Sequence, residues 1–526
     1  MADQKNASEN AGPKTGGGGL LKSSSIVSVF TLLSRVLGLV RDVVVAQYFG
    51  AQIDAFLVAF KIPNFFRRLF AEGAFTVAFV PVLSEYRTQR AFRDVQLLVA
   101  RVSGVLGTVL LGVTVLAVTF ADYLPWLFAP GFRQDPEKFA LTGELLRITF
   151  PYLLFIAMTA FSGSVLNSYG RFAVPAFTPV LLNITLIGVT FWGLDYFEQP
   201  LFALAWGVFF AGLIQLLFQL PFLARLRLLV RPQYRPDDDG VKRIVTLMIP
   251  ALFGVSVSQI NLLLDTVLAS FLESGSVSWL YYADRLNNLP LGIFAIAIGV
   301  VILPALSSKH AEKQQDGFAD TLDWAIRMVF LLALPAALAL ILLAQPLMAT
   351  IFYHGEITEY DVGQMSLALQ AYASGLLAFM MIKVLAPGYY ARQDTQTPVK
   401  IGIQAMVVNM VLNLILVFPF DHVGLAMATA LSSFFNVWML YRGLRVLGVY
   451  RPATGWWRFG MRLFLANGAL VAVILALGGS MQQWLSSGAT ERILDMSVVV
   501  VSGVAVYFVV LFLVGLRPCH LRGARF

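Results

Sequence analysis

The chain has 526 residues, 58% of them hydrophobic and only 13% charged, with a mean hydropathy of +0.75; soluble proteins carry about 25% charged residues, so this is an integral membrane protein. Its formal charge of +8 would suit nucleic acid, but the basic residues sit mainly in short loops between apolar spans, where they report orientation, and no nucleic-acid partner is expected. A single cysteine, Cys519, and four scattered histidines, His310, His354, His422 and His520, leave no intrachain disulfide, cysteine-rich metal site or HExxH pair.

In chain order, residues 1–22 are polar and glycine-rich and read as a disordered cytoplasmic tail without the apolar stretch of a cleaved signal peptide. Windows of about 20 apolar residues, enough to cross a hydrocarbon core, then recur almost without pause. They fall near residues 26–49, 54–83, 95–121, 141–164, 174–193, 200–222, 243–271, 277–307, 322–350, 365–390, 398–419, 423–446, 460–479 and 495–516. The expected fold is an all-α polytopic membrane protein of about fourteen transmembrane helices. Pro63 and Pro290 interrupt the second and eighth spans and predict kinks there.

With the N-terminus inside, the inner loops collect Arg87, Arg90, Arg93, Arg171, the run from Arg225 to Arg243, Lys309, Lys313, Arg392, Arg442, Arg445, Arg451 and Arg458. The outer loops hold little beyond Arg133, Lys138 and Arg492. This positive-inside pattern with an even span count puts both termini in the cytoplasm. At an offset of 221–223 residues Phe30 aligns with Phe253, Asp42 with Asp265, Pro81 with Pro304, Tyr169 with Tyr390 and Arg171 with Arg392. The weak but ordered repeat predicts two six-helix lobes related by a pseudo-two-fold along the membrane normal. An N-lobe then covers residues 23–224 and a cytoplasmic linker 225–242. A C-lobe covers 243–446, and two extra helices with a tail cover 447–526.

The first two spans carry Arg35, Arg41, Asp42, Asp54, Lys61, Arg67 and Arg68, and the eighth carries Asp284 and Arg285. An arginine at the bilayer centre costs about 2.5–3.5 kcal/mol on insertion scales, so such residues face water or a partner. Arg35 and Asp42 lie nearly on one helix face, whereas Arg41 is turned by roughly 120° from Arg35. One alternative is that these side chains snorkel or close ion pairs with Asp42, Asp54 and Asp284. The other is a water-filled cationic cavity between the lobes for an anionic substrate, since arginine forks match phosphate and stay protonated. Glu72, four residues after Arg68, is placed to pair with it.

The stretches "SRVLGLVRD", "DAFLVAFKIPNFFRRLFAEGAFTVAFVPVLSEY", "SWLYYADRL" and "LPALS" resemble the MurJ (MviN) lipid II flippases of the MOP exporter superfamily, from about residue 22 to the C-terminus. The resemblance implies a bacterial inner-membrane protein that moves lipid II, the undecaprenyl-pyrophosphate-linked peptidoglycan precursor, from the cytoplasmic to the periplasmic leaflet by alternating access. It is a transporter, not an enzyme, with membrane lipids and the cell-wall synthesis machinery as further partners. The family's essential cavity arginines fall on Arg35, Arg41, Arg67 and Arg285, its functional acid on Asp54, and a periplasmic gate on Glu72. Arg41, Asp42 and Arg285 match a cluster associated with pyrophosphate. Some relatives carry an acid where this chain has Asn288.

Some members of the family bind sodium, and the corresponding residues here are Asp265, Asn409, Asn413 and Thr429, with Asn413 in place of a carboxylate. Oxygen ligands suit a hard monovalent cation, and two asparagines bonded between packed helices are the equal alternative. Two rival functions are weighed against these motifs. A multidrug or cation antiporter of the same superfamily wants an acid-rich or aromatic cavity. A polyprenyl-phosphate enzyme wants a metal-binding acid cluster, for which "DDD" at 237–239 is the nearest match. That run reads better as a solvated charge cluster or as support for the start of the seventh helix.

Overall fold

The computed structural model describes residues 17–68 and 75–516, and among them there is no strand. The expected all-helical class is what is found. The chain divides into two compact units: the first holds the residues up to Tyr48 and Ile53–Phe271, the second Phe49–Gln52 and the residues from Leu272 onward.

The first unit is built from α1 (Gly17–Phe49), α2 (Asp54–Arg67), α3 (Phe75–Gln89), α4 (Phe92–Thr119), the short α5 (Leu124–Phe128), α6 (Pro136–Thr149), α7 (Tyr152–Ser168), α8 (Ala173–Trp192), α9 (Leu201–Arg225) and α10 (Asp239–Ala269). Its core stacks Phe75 on Phe79 at 5.0 Å and Phe79 against Phe161 at 5.2 Å, with Leu83, Val95, Val165 and Leu228 closing around them. Helix α9 packs on α7 and α8, and α10 packs on α3.

The segment between α9 and α10 lies along α4. Gln233 N donates to the Ala100 carbonyl at 2.8 Å, and Gln96 Nε2 donates to the Arg227 carbonyl at 2.7 Å. Gly104 permits this approach, because a Cβ there would sit 2.2 Å from the Gln233 carbonyl oxygen. The aspartate run supports the helix start, as its composition suggested: Asp238 caps α10, accepting from Gly240 N at 3.0 Å and Val241 N at 3.3 Å, and it also pairs with Arg101. A cap of this kind contributes about 1 kcal/mol.

The second unit contains α11 (Ser276–Pro290), a π-helical turn (Leu291–Ala295), α12 (Ile296–Ala311), α13 (Gln315–Leu342), α14 (Ala344–Phe352), α15 (Glu359–Ser374), α16 (Leu376–Tyr390), α17 (Gln396–Val446), α18 (Trp456–Leu477), the short α19 (Met481–Ser486) and α20 (Ala489–Leu513). Gly275, at φ +104°, starts α11, and a Cβ there would meet the Trp279 ring at 2.7 Å. Trp279 Nε1 in turn donates to Asp361 Oδ1 at 2.8 Å, and Asp361 closes a capping box with Thr358 at the head of α15. Helices α13, α16 and α17 share a core of Leu322, Val329, Met380, Val384, Tyr389 and Leu440.

The spans differ from their predicted outlines in instructive places. The window 141–164 is two helices, α6 and α7, parted at Phe150 and Pro151, where the proline ring removes a backbone donor. The window 365–390 is likewise α15 and α16, parted at Gly375, whose Cβ would lie 2.8 Å from Ala430 Cα. Windows 398–419 and 423–446 run together in the 51-residue α17, broken only by the non-helical Asp421 at φ 46°. Pro63 sits inside α2, and Pro290 ends α11 where the π turn begins. Among the described residues nine helical stretches are long and apolar enough to cross a membrane, and α1, α2 and α11, which carry the charged residues, are not among them. Trp192, Phe464 and Leu513 are 77%, 73% and 75% exposed, as side chains facing acyl chains should be.

One buried ion pair organises the second unit. Arg327 and Asp323, four apart on α13, are 1% and 2% exposed, and Arg327 Nε reaches Asp323 Oδ2 at 2.7 Å. Asp323 Oδ1 also accepts from Tyr450 Oη at 2.7 Å, Ala453 N at 3.2 Å and Trp456 Nε1 at 2.9 Å. Arg327 Nη2 donates to the Thr454 carbonyl at 3.0 Å, and its guanidinium lies 4.9 Å from the Trp456 ring. The connection from α17 to α18 is therefore pinned to α13 by a fully bonded charge pair. Asp323→Ala strands the arginine and should cost about 3–5 kcal/mol, read as a large fall in melting temperature of the purified protein. An unchanged melting temperature would show that the pair does not hold this connection.

Candidate functional site: a charged cluster on the first two helices

In the first unit the charges of α1 and α2 are brought to specific partners. Arg41 is 8% exposed and Asp42 3%. Arg41 Nε and Nη2 both donate to Asp42 Oδ1, at 3.0 and 2.5 Å, and Nη1 donates to Asn183 Oδ1 on α8 at 3.1 Å. Asn183 is itself oriented, since its Nδ2 donates to the Ser34 carbonyl at 3.0 Å. Idealised helix geometry turns Arg41 away from the face of Arg35 and Asp42; the long arginine stem instead folds back onto its neighbour. The result is a guanidinium in a fixed plane, with every nitrogen bonded.

Asp54 opens α2 and is 1% exposed. Its Oδ2 takes the Lys138 ammonium of α6 at 2.9 Å. Lys138 also stands 4.4 Å from the Phe132 ring. A lysine that sequence assigns to an outer loop is thus the partner of the buried acid. Arg492, assigned to the same side, is also internal: 6% exposed, it donates to the carbonyls of Ala349 at 2.8 Å and Tyr353 at 3.1 Å.

One turn or more further along α2, Lys61 Nζ donates to Thr266 Oγ1 at 3.1 Å, and Arg67 Nε donates to Asn64 Oδ1 at 3.1 Å. Arg67 is half-buried and its neighbour Arg68 exposed. Arg35 is half-buried on α1 and makes no hydrogen bond or ion pair with a described residue. Glu72 lies outside the described residues, and with it the proposed pairing to Arg68 and the gate.

In the second unit Arg285 is half-buried on α11 beside the exposed Asp284. Asn288 uses its amide to donate to the Asp284 carbonyl at 2.9 Å, a bond within its own helix. The sodium candidates divide between the units. Asp265 lies on α10 in the first. In the second, Asn413 Nδ2 donates to Asn409 Oδ1 at 3.0 Å, and Asn409 Nδ2 reaches Thr429 Oγ1 at 3.4 Å and Ser432 Oγ at 3.3 Å. Among the described residues no cluster of three or more histidine, cysteine, aspartate or glutamate side chains could hold a metal.

Sequence reasoning missed Lys138 and Asn183 as members of this site. The only available signal was indirect, an asparagine inside the apolar run of α8, which needs a partner in a membrane helix. Lys138→Met removes the cation bonded to Asp54 Oδ2 and should lower stability by about 3–5 kcal/mol. The double variant Lys138→Met/Asp54→Leu should recover most of that loss in the same melting experiment. A silent single variant would show that the pair is not coupled.

Three comparisons agree on what this chain is similar to. The profile of the family described as Lipid II flippase MurJ matches residues 45–494. The probable lipid II flippase MurJ of Vibrio cholerae is 52% identical over 96% of this chain and 98% of its own length. The lipid II flippase MurJ of Burkholderia cenocepacia is 39% identical over 96% and 99%. Among solved structures, a lipid II flippase MurJ in an inward closed conformation superposes with a TM-score of 0.77 at 27% identity, over 92% of this chain and 97% of that one. An inward-facing MATE multidrug transporter of the MOP superfamily gives 0.68 at 14% identity over 81% and 98%, a likeness of fold alone.

Proposed function

The chain belongs to the lipid II flippase MurJ family, and from that premise we propose that it moves lipid II from the cytoplasmic to the periplasmic leaflet of the bacterial inner membrane, with both termini in the cytoplasm. In this reading Arg35, Arg41, Arg67, Arg68 and Arg285 bind the pyrophosphate, with Asp42 and Asp54 setting their geometry and Glu72 gating the periplasmic side. The observation that carries the electrostatic part is the state of α1: Arg41 is held in plane by Asp42 and Asn183, while Arg35, half-buried one and a half turns away, has no described partner. A guanidinium kept in a low-dielectric segment without a carboxylate gains most from an anionic ligand.

Alternating access follows from the same charges. Empty, the arginines repel one another; a diphosphate neutralises them and favours closure around the head group. A membrane potential, positive outside, favours the return of the empty cationic site inward. The polyprenyl tail has no reason to leave the lipid. In the second unit α13, α18 and α20 enclose an apolar space of about 210 Å³ lined by Pro335, Leu343, Ile474, Val499, Gly503 and Tyr507, whose chemistry suits it. The cell-wall synthesis enzymes that consume the flipped precursor are the partners this activity calls for.

An antiporter for organic cations is the second candidate on fold alone, and the buried arginines speak against it. Arg35→Ala, Arg41→Ala and Arg285→Ala should each abolish growth support in a bacterium depleted of its own flippase while leaving the protein inserted and at normal abundance. Full complementation by all three would overturn the pyrophosphate assignment.

For a monovalent cation the donor set fits in type. The oxygens of Asn409, Asn413 and Thr429, with Asp265 supplying the one carboxylate, would hold sodium, and the ion would compete with the bond from Asn413 to Asn409. Sodium chloride should then raise the melting temperature of the protein above its value in choline chloride, and Asn413→Ala should erase the difference. Equal melting in both salts would leave the asparagines as a packing network.

A further inference from the structure

At the end of the first unit where α1 begins, Ile26 of α1, the turn joining α7 to α8 and the last turn of α9 enclose a cavity of about 270 Å³. Its walls are mostly apolar, with the rings of Phe172 and Phe222, and its two charged members are both cations, Arg171 and Arg225. The Arg225 guanidinium lies 5.6 Å from the Phe222 ring. Both arginines are exposed, and neither makes a hydrogen bond or ion pair with a described residue. Elsewhere in this unit Arg87 donates to the Ser168 carbonyl and stands 4.8 Å from the Tyr169 ring, and Arg243 pairs with Glu85 at 2.8 Å.

The turn itself is well tied. Gly170, at φ +74°, donates its N–H to the Asn167 carbonyl at 3.0 Å, and Arg171 N donates to the Leu166 carbonyl at 2.9 Å, the two bonds that close a helix end around a left-handed glycine. The backbone that carries Arg171 is therefore set before any ligand arrives.

The second unit has a matching turn between α16 and α17. At an offset of 221 residues Tyr169 and Arg171 correspond to Tyr390 and Arg392, and with a two-residue slip Thr178-Pro179 corresponds to Thr397-Pro398. There the chain supplies its own anion. Asp394 Oδ1 accepts from Thr397 N at 3.0 Å, and the bonds from Thr397, with the Arg392 charge adding to them, hold the Asp394 carboxyl below the usual carboxylate range. From Tyr169 to Pro179 there is no acid. The first turn thus keeps the arginine, gains a second one from α9 and lacks the carboxylate, so the matching anion comes from outside the chain. Rings and aliphatic groups beside two guanidinium forks, at the end of membrane helices, suit a phosphodiester joined to acyl chains.

We propose that this cavity binds an anionic phospholipid of the leaflet at which α1 begins: Arg171 and Arg225 hold its phosphate, and its glycerol and first acyl carbons lie against Ile26, Phe172 and Phe222. The site is separate from the charged cluster of α1 and α2 and does not depend on what the protein transports.

The test uses the full chain in lipid nanodiscs with one thiol at the cavity wall, Ala173→Cys on a Cys519→Ser background. Phosphatidylglycerol in the bilayer should slow its reaction with an uncharged maleimide by about tenfold relative to phosphatidylcholine alone. Inorganic phosphate added to phosphatidylcholine nanodiscs should leave the rate unchanged. Adding Arg171→Gln/Arg225→Gln should remove the phosphatidylglycerol effect. Equal rates in the two bilayers, or slowing that persists in the glutamine variant, overturn the proposal. Equal slowing by inorganic phosphate overturns it too, by assigning the cavity to a free anion. The comparison of the two bilayers leaves both arginines in place, so it decides the matter even if the glutamine variant does not fold.

Discussion

A guanidinium inside a membrane protein has five N–H donors and a charge that never titrates, and both must be satisfied without bulk water. Arg41 shows how this chain does it. Its three nitrogens reach Asp42 on the same helix and Asn183 on α8, so α1 and α8 are fixed to each other by the same bonds that fix the arginine plane. Fold and site are therefore one problem here. Moving Asn183 would loosen the packing of the first unit and the orientation of the charge together.

The same constraint recurs wherever charge is buried. Asp54 is met by Lys138 from α6, and Arg327 by Asp323 together with the backbone and rings that follow α17. Each of these charges finds its counter-ion within its own unit. Arg35 differs in making no hydrogen bond or ion pair with a described residue.

Much of this was legible before any coordinates. The all-helical class is a local property of sequence, and the structure keeps it; of the two readings offered for the aspartate run, Asp238 takes that of a helix start. What could not be read was long-range pairing. Nothing near Lys138 announces that its carboxylate lies 84 residues earlier, and a positive-inside count naturally places it in a loop. The interruptions were half visible. Pro63 and Pro290 were read as interruptions whereas Pro151 and Gly375 were not, because whether a membrane helix bends or breaks at such residues depends on which neighbours take up the freed backbone groups. The Asp323–Arg327 pair had its four-residue spacing in plain view, yet its importance comes from Tyr450, Ala453 and Trp456, which no local pattern connects to it. Gln215 and Gln219 share a face by the same spacing, and nothing local shows that both bond to Thr178 on another helix.

The central claim is that fixed arginines recognise the diphosphate of a lipid-linked precursor and carry it across the bilayer. It is tested most directly by reconstituting this protein as the sole transporter in liposomes and following fluorescent lipid II between leaflets under an imposed membrane potential. Wild type should move the lipid, and Arg35→Gln/Arg41→Gln/Arg285→Gln should hold it at the rate of protein-free liposomes. Movement at the wild-type rate with all three guanidinium groups gone would contradict the account.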